Sequence, residues 1–174
     1  MNQLRIKNLT LAAMFLALGL VLPFLTGQIP QIGAMLSPMH YPVLLCGFIC
    51  GWQYGALVGF ICPLLRSVLF GMPPMPSAIP MAFELMTYGC LAGLIYSFFK
   101  EKNLTAICVT LVLAMLGGRI VWGIAQMVMH GVRGTAFTFS AFLAGAFTNA
   151  FVGIVLQLIL IPLIMVAVNK IKKA

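Results

Sequence analysis

Six apolar runs follow one another along the chain, separated by short stretches of polar, proline and glycine residues. With a tolerance of a few residues at either end, the runs cover residues 9–27, 40–51, 53–71, 78–99, 104–130 and 138–168. A helix needs about 20 apolar residues to cross the hydrocarbon core of a bilayer. The pattern therefore predicts an all-α integral membrane bundle of six transmembrane helices, in a single domain over residues 1–174.

The second run is shorter than the others and begins at the sequence His40-Tyr41-Pro42. Proline suits the first turn of a helix but not its interior, because it lacks a backbone N–H. We therefore expect a short second helix that starts at this sequence and joins the third helix almost directly.

Composition agrees with a membrane protein and excludes a water-soluble one. Hydrophobic residues make up 63% of the chain and charged residues 7%, whereas soluble domains carry about 25% charged residues. The net charge of +8 does not indicate nucleic-acid binding, because most basic residues lie at the ends of apolar runs. Seven of them fall on the side of the amino terminus and only Arg133 falls in an opposite loop, which predicts that both termini are cytoplasmic; the seven are Arg5, Lys7, Lys100, Lys102, Lys170, Lys172 and Lys173.

Neither a metal site nor a catalytic centre is predicted. The five cysteines are odd in number, lie inside apolar runs and form no CxxC pair, so we interpret them as small buried residues. The chain has no phosphate-binding loop of the GxxxxGK type and no HExxH pattern, so we expect no ATP hydrolysis by the chain itself. The first apolar run is not followed by a cleavage site, and we expect it to stay in the protein.

Two segments on the side opposite the termini, residues 26–33 and 71–77, are rich in proline and glycine and yet apolar. Their apolar character distinguishes them from solvated linkers. We interpret them as segments that fold back over the bundle; the alternative is that they are tight turns at the membrane surface.

Small residues predict where helices approach closely. Gly47, Gly51, Gly55 and Gly59 recur at every fourth position across the second and third helices. A second stripe, on the last helix, combines small and polar residues, namely Ala141, Gly145, Asn149, Gly153 and Gln157.

Three ionisable residues, Arg66, Glu84 and Arg119, lie at bilayer depth, where a charge needs a partner, a cavity or a function. One carboxylate neutralises only one of two guanidiniums, so a bound anion would complete the balance. A guanidinium suits a carboxylate ligand because it binds both oxygens. The alternative is purely structural pairing between helices.

Further polar residues are expected on the same half of the bundle. Helical spacing places Trp122, Gln126 and His130 on one face with Arg119, and places Tyr88 on one face with Glu84. The predicted substrate-binding residues are His40, Arg66, Glu84, Tyr88, Arg119, Trp122, Gln126, His130 and Asn149.

These features together resemble a known family. Six short helices, proline-rich outer loops and the pair Ala13 and Ala17 in the first helix resemble the substrate-binding membrane subunit, or S component, of energy-coupling factor (ECF) vitamin transporters. The segments 38–45, 63–65 and 71–74 look like the subgroup associated with pantothenate.

The resemblance implies a mechanism that periodicity does not give. Such subunits capture a vitamin from outside a prokaryotic plasma membrane and dock on a transmembrane coupling (T) subunit, which sits on two cytoplasmic ATPases. The subunit is thought to topple in the membrane and release its cargo inside. Carried over to this chain, Ala13 and Ala17 would be docking residues. The chain would need no cofactor of its own, since the partner ATPases hydrolyse ATP.

Other functions stay open at this point. The cargo is alternatively pyridoxine, a hydroxymethylpyrimidine, a queuosine precursor, niacin, lipoate or biotin. A second class is a small membrane enzyme in which Glu84, His40 and His130 carry chemistry. A third is a structural subunit or an ion-coupled transporter with Glu84 as the proton carrier.

Overall fold

The computed structural model describes residues 3–26 and 29–173, and all regular structure within these ranges is helical. The side chains of Pro30, Ala34, Lys172 and Lys173 are not described. The helices are α1 (Gln3–Val21), which a 3₁₀ turn continues over Leu22–Thr26, α2 (Pro30–Leu36), α3 (His40–Cys50), α4 (Trp52–Phe70), α5 (Met75–Phe98), α6 (Leu104–Val132), α7 (Phe139–Leu143), a π turn (Ala144–Thr148) and α8 (Phe151–Lys173).

Five of the helical segments, α1 with its 3₁₀ turn, α4, α5, α6 and α8, are long and apolar enough to span a membrane. The shorter α3 is also apolar and corresponds to the short second helix expected from the sequence. The described chain is thus a helical membrane bundle, as predicted.

Contacts between helix ends define the two ends of the bundle. At one end, Asn8 of α1 donates to the Cys50 carbonyl of α3 over 3.5 Å, and Asn169 of α8 donates to the Tyr96 hydroxyl of α5 over 2.8 Å. We call this the terminal end, because α1 begins and α8 finishes here. At the other end, Phe24 packs against Phe70 with ring centroids 5.0 Å apart. We call that the cavity end.

The junction between α3 and α4 is a single glycine. Gly51 has φ of 98°, a left-handed conformation that side chains rarely adopt, and its N–H closes α3 by donating to the Gly47 carbonyl over 3.1 Å. The predicted direct connection between the short helix and the next one is confirmed, and so is the start of α3 at His40.

Glycines bring α4 and α5 into backbone contact. A β-carbon on Gly55 would collide with the Gly89 carbonyl, and one on Gly59 would collide with the Leu85 carbonyl. A β-carbon on Gly47 of α3 would also meet Gly89. Three of the four glycines in the predicted stripe therefore allow close packing. Gly51 is the exception, because it serves the turn and has open space around it.

The prediction of one continuous helix over residues 138–168 is wrong. The run is divided into α7, a π turn and α8, and Asn149 and Ala150 form a turn between the last two. The Asn149 N–H donates to the Ala144 carbonyl over 2.9 Å, five residues back, which is the π pattern. Because the Trp122 ring occupies the space that a β-carbon on Gly145 would need, this segment packs closely against α6. The stripe from Ala141 to Gln157 is therefore not continuous.

The segment after α1 contains a helix that sequence analysis did not predict. Pro30 occupies the first turn of α2, and Ser37 ends the helix in a left-handed conformation while its N–H donates to the Gly33 carbonyl over 2.9 Å. The end of α2 rests on α8 at Gly153, where a β-carbon would meet the Met35 carbonyl and the backbone of Leu36. Glycine at position 153 thus allows α2 to lie directly on the bundle.

Candidate functional site

A cavity of about 370 Å³ opens at the cavity end of the bundle. Its wall is formed by α2, α3, α4, α5 and α6, together with the 3₁₀ turn after α1, the π turn and the connecting segments. Seven of the nine predicted binding residues line it, namely His40, Arg66, Glu84, Arg119, Trp122, Gln126 and Asn149.

Glu84 of α5 lies at the centre of the charged groups. Its Oε1 atom is 2.9 Å from Nη1 of Arg119 on α6 and 3.5 Å from Nε2 of His40 on α3. All three residues are buried, with exposed fractions of 2%, 6% and 3%. The sequence did not specify which arginine pairs with Glu84. In the structure the partner is Arg119, and the contacts of Glu84 connect α3, α5 and α6 at the cavity.

Arg66 of α4 has a different environment. It is 1% exposed, its Nη1 atom donates to the Leu20 carbonyl, and its guanidinium lies 4.7 Å from the ring centroid of Phe24 and 5.3 Å from that of Phe70. Its Nη2 atom has no hydrogen-bond partner within residues 3–26 and 29–173. Arg66 thus presents a buried cation to the cavity without a carboxylate beside it.

One face of α6 forms a wall of mixed polarity. Arg119, Trp122 and Gln126 follow one another along it and all line the cavity, as the spacing predicted. The indole of Trp122 also packs near Phe142 of α7, with ring centroids 6.3 Å apart. Asn149 reaches the cavity because the chain turns between the π segment and α8. The wall therefore combines a cation, an aromatic surface and two amides.

The other two predicted residues do not line the cavity. Tyr88 is fully buried one turn beyond Glu84, and its ring meets that of His40 edge-on with centroids 5.2 Å apart. His130 lies beyond the cavity on α6, where Nδ1 is 2.8 Å from Oγ1 of Thr135 and the ring stacks on Phe137 with centroids 5.3 Å apart. Tyr88 thus lies behind the charged groups, whereas His130, in the last turn of α6, contacts the loop that follows this helix.

Both proline-rich outer segments contribute to the cavity wall. The first supplies Thr26, Ile29 and Gly33, and the second supplies Pro73, Pro74 and Ser77. Gly27 and Gln28, part of the first predicted segment, lie outside the described residues. Both segments are therefore part of the cavity wall.

Sequence reasoning missed several residues of the site. Met39 and Met81 supply apolar surface to the cavity. Phe70 follows Arg66 by four residues, so helical spacing alone would have found that contact. Phe24 is on a different helical segment, and no local pattern connects it with Arg66.

The two alanines of the first helix face outward. Ala13 and Ala17 are both exposed on α1, beside the exposed side chains of Met14 and Leu18. This small-residue surface is separate from the cavity, which Pro23 and Thr26 of the following 3₁₀ turn reach. The two alanines and the cavity therefore lie on different parts of the chain.

The chemistry of the site is suited to binding. Across the part of the chain that the structure describes, no group of three His, Cys, Asp or Glu side chains is placed to hold a metal ion. The cavity offers two guanidiniums, one carboxylate, amides and apolar surface. A concave site that combines apolar surface with a few polar and charged groups is typical of a small-molecule binding site.

Comparison with known proteins gives a family. No curated protein and no solved structure matches the chain. The model of the family described as "ECF transporter, substrate-specific component" matches residues 7–165, which is most of the sequence and includes every residue of the charged cluster. The chain therefore belongs to the substrate-specific components of ECF transporters.

Proposed function

We propose that this S component captures a small carboxylate micronutrient in the cavity, and that pantothenate is the first candidate. The single observation that carries the proposal is Arg66, a buried guanidinium in the cavity wall with an unpartnered Nη2 atom among the described residues. The proposal goes beyond family membership, which gives a transport subunit for a small molecule but not its cargo.

The charge balance of the cavity supports an anionic ligand. Arg66 and Arg119 bring two positive charges and Glu84 brings one negative charge, and the Glu84 carboxylate is 2.9 Å from Arg119. The Leu20 carbonyl and the two phenyl rings beside Arg66 attract a cation but carry no full negative charge. Burying a guanidinium without a counter-ion is costly, so an anion that pairs with Arg66 gains binding energy.

The remaining groups fit the rest of such a ligand. Gln126 and Asn149 provide amide donors and acceptors, which suit hydroxyl and amide groups on a ligand. Trp122, Met39 and Met81 provide apolar contact. Pantothenate has a carboxylate, an amide, two hydroxyls and a branched apolar part. Niacin, lipoate and biotin share the carboxylate, whereas pyridoxine and a hydroxymethylpyrimidine lack it and leave Arg66 without its counter-ion.

The first experiment identifies the ligand. The full chain is purified in detergent, its small molecules are released and analysed by mass spectrometry, and the compound found is titrated against the emptied protein. We expect a carboxylate compound in a 1:1 ratio, bound without ATP or partner proteins. Recovery of a neutral or cationic compound in that ratio would refute the proposal of an anionic ligand, but it would agree with membership of the family. Repeated preparations without any compound, and no binding from a vitamin panel, would refute capture by this cavity.

We also propose that Ala13 and Ala17 form the docking surface for the T subunit, with both termini in the cytoplasm of a prokaryotic cell. The exposed, small side chains on α1 leave a flat surface that a partner helix can approach closely. Energy for uptake then comes from the two partner ATPases, and the subunit itself holds no cofactor.

The docking proposal is tested with Ala17→Trp in cells that carry the complete transporter. We expect uptake to fall at least tenfold while ligand binding by the purified chain stays unchanged, because the indole projects from the docking face and not into the cavity. Leu113→Trp is the matched control, since Leu113 is 46% exposed on α6, away from α1. Equal uptake by the two variants, or lost binding in Ala17→Trp, would contradict the assignment.

A further inference from the structure

A second cleft lies at the terminal end of the bundle, between the start of α6 and the last turns of α8. It has a volume of about 280 Å³ and is lined by Lys102, Asn103, Leu104, Val166, Asn169 and Lys170. The apolar span of α6 starts at Leu104 and that of α8 extends to Ile171. The cleft therefore lies at the ends of two apolar spans, with two lysines and two apolar side chains in its wall.

This end of the molecule has a large excess of positive charge. The chain contains only two acidic residues, Glu84 and Glu101, and Glu84 is buried at the cavity end. Seven basic residues belong to the terminal end, and Glu101 is the one acidic side chain beside them. Lys102 and Lys170 have no carboxylate partner within ion-pair distance in the described part of the chain. The described part of the chain thus supplies no counter-charge in direct contact with either lysine.

The cleft is held in shape by side-chain contacts. The Lys102 ammonium donates to the Tyr96 carbonyl and lies 4.2 Å from the Tyr96 ring centroid. Asn169 of α8 donates to the Tyr96 hydroxyl over 2.8 Å and to the Lys102 carbonyl over 3.1 Å. Burial lowers the pKa of the Lys102 ammonium, as expected for a cation without a neighbouring anion. These contacts place the Lys102 ammonium against Tyr96 at the edge of the cleft.

The start of α6 adds to the positive potential. Asn103 caps the helix, with its Oδ1 accepting from the Ala106 N–H over 2.9 Å, and both Asn103 and Leu104 line the cleft. The amino-terminal end of a helix carries a partial positive charge that favours anions. It acts here together with two lysines in a cleft of defined shape.

We propose that this cleft binds the phosphodiester headgroup of an anionic phospholipid. The phosphate lies between Lys102 and Lys170, and the acyl chains run along the exposed apolar side chains of the two helices, among them Leu104 and Leu163. Lysine pairs at the membrane boundary between transmembrane helices are suited to anionic lipid headgroups. The apolar floor favours a lipid over a free phosphate ion, because only a lipid has chains that cover Leu104 and Val166. The proposal is independent of the cargo in the other cavity.

The test uses native mass spectrometry of the purified full chain in detergent, titrated with dioleoylphosphatidylglycerol, with dioleoylphosphatidylcholine and with sodium phosphate. We expect one phosphatidylglycerol molecule to stay bound, with clearly weaker retention of phosphatidylcholine and of phosphate. Lys170→Gln should bind phosphatidylglycerol about fivefold more weakly, the effect of one lysine at a charged membrane surface. Lys102→Gln together with Lys170→Gln should weaken it further.

Lys100→Gln is the matched control. It removes one positive charge from the segment between α5 and α6 that also carries Lys102, but Lys100 lies outside the cleft. We expect less than a twofold effect. The single variant Lys170→Gln decides the test if the double variant unfolds, since Lys170 is exposed and takes no part in the contacts that hold Lys102. An equal loss in Lys100→Gln, equal retention of phosphatidylcholine, or phosphate binding as tight as that of the lipid would each overturn the proposal.

Discussion

Helices α4 and α5 pack against each other, but their two halves differ: one half is in close backbone contact and the other lines the cavity. Towards the terminal end, Gly55 and Gly89 bring the two backbones together with no room for a side chain. Towards the cavity end, the same helices carry Arg66 and Glu84, which line an open cavity. The comparison indicates that backbone contact in one half of the helix pair sets the distance between Arg66 and Glu84 in the other half.

The largest expected effect comes from disrupting the backbone contact between α4 and α5. Gly89→Ala places a methyl group against the Gly55 carbonyl, so α4 and α5 must move apart. Overpacking of this kind costs about 3 kcal/mol in free energy of unfolding. Thermal unfolding in detergent measures the loss. Gly131→Ala on α6 is the control, because a β-carbon there meets open space. Equal melting temperatures for the two variants would show that the contact is looser than described.

An effect of similar or smaller size is expected from breaking the ion pair between Glu84 and Arg119 at the cavity. Glu84→Gln leaves the buried Arg119 guanidinium without its carboxylate, which lies 2.9 Å away. Loss of one partner of a buried pair costs about 3 kcal/mol, and removal of both partners costs less. Chemical denaturation of Glu84→Gln, Arg119→Gln and the double variant measures this coupling.

The other acidic residue of the chain provides the control for that prediction. Glu101 is exposed in the segment between α5 and α6, and Glu101→Gln should change stability by less than about 0.5 kcal/mol. Additive losses in the two single variants, with no coupling in the double variant, would mean that Glu84 and Arg119 act independently.

The smallest effect is expected at the terminal end, where hydrogen bonds supplement the glycine contacts. Asn169→Ala removes the bonds to the Tyr96 hydroxyl and the Lys102 carbonyl, 2.8 Å and 3.1 Å long. The loss should be about 1–2 kcal/mol, measured by thermal unfolding. Asn8→Ala, which removes one bond of 3.5 Å, should cost less. A larger loss in Asn8→Ala than in Asn169→Ala would contradict the predicted ranking of these contacts.

Sequence patterns predicted those parts of the fold that depend on local periodicity. The long apolar runs, the start of α3 at His40 and the close approach at Gly55 and Gly59 all follow from spacing along one helix. The membrane-enzyme alternative is excluded by the family, which consists of transporter subunits. The pantothenate assignment stays a prediction.

What the sequence did not predict depends on contacts between distant segments. The break in the last apolar run occurs where Gly145 meets the Trp122 ring, and α2 rests on Gly153. The choice of Arg119 over Arg66 as the partner of Glu84 depends on how α4, α5 and α6 are rotated against one another. Spacing along one helix does not specify that rotation, so seven of the predicted residues reach the cavity while Tyr88 and His130 do not.

The measurement that tests the central claim most directly is a comparison of an acid with its alcohol. Dissociation constants for pantothenate and for panthenol, which carries a hydroxymethyl group in place of the carboxylate, are measured for the original chain and for Arg66→Gln. The same comparison applies to the acid and alcohol forms of any ligand that mass spectrometry recovers. Arg133→Gln, at an exposed loop position after α6, is the control for the loss of one positive charge.

The original chain and Arg133→Gln should prefer the acid by about 100-fold, the scale for a desolvated charge pair. Arg66→Gln should lose nearly all of that preference while it binds the alcohol about as well as before. An unchanged preference for the acid in Arg66→Gln would contradict the claim that Arg66 receives the carboxylate of the cargo.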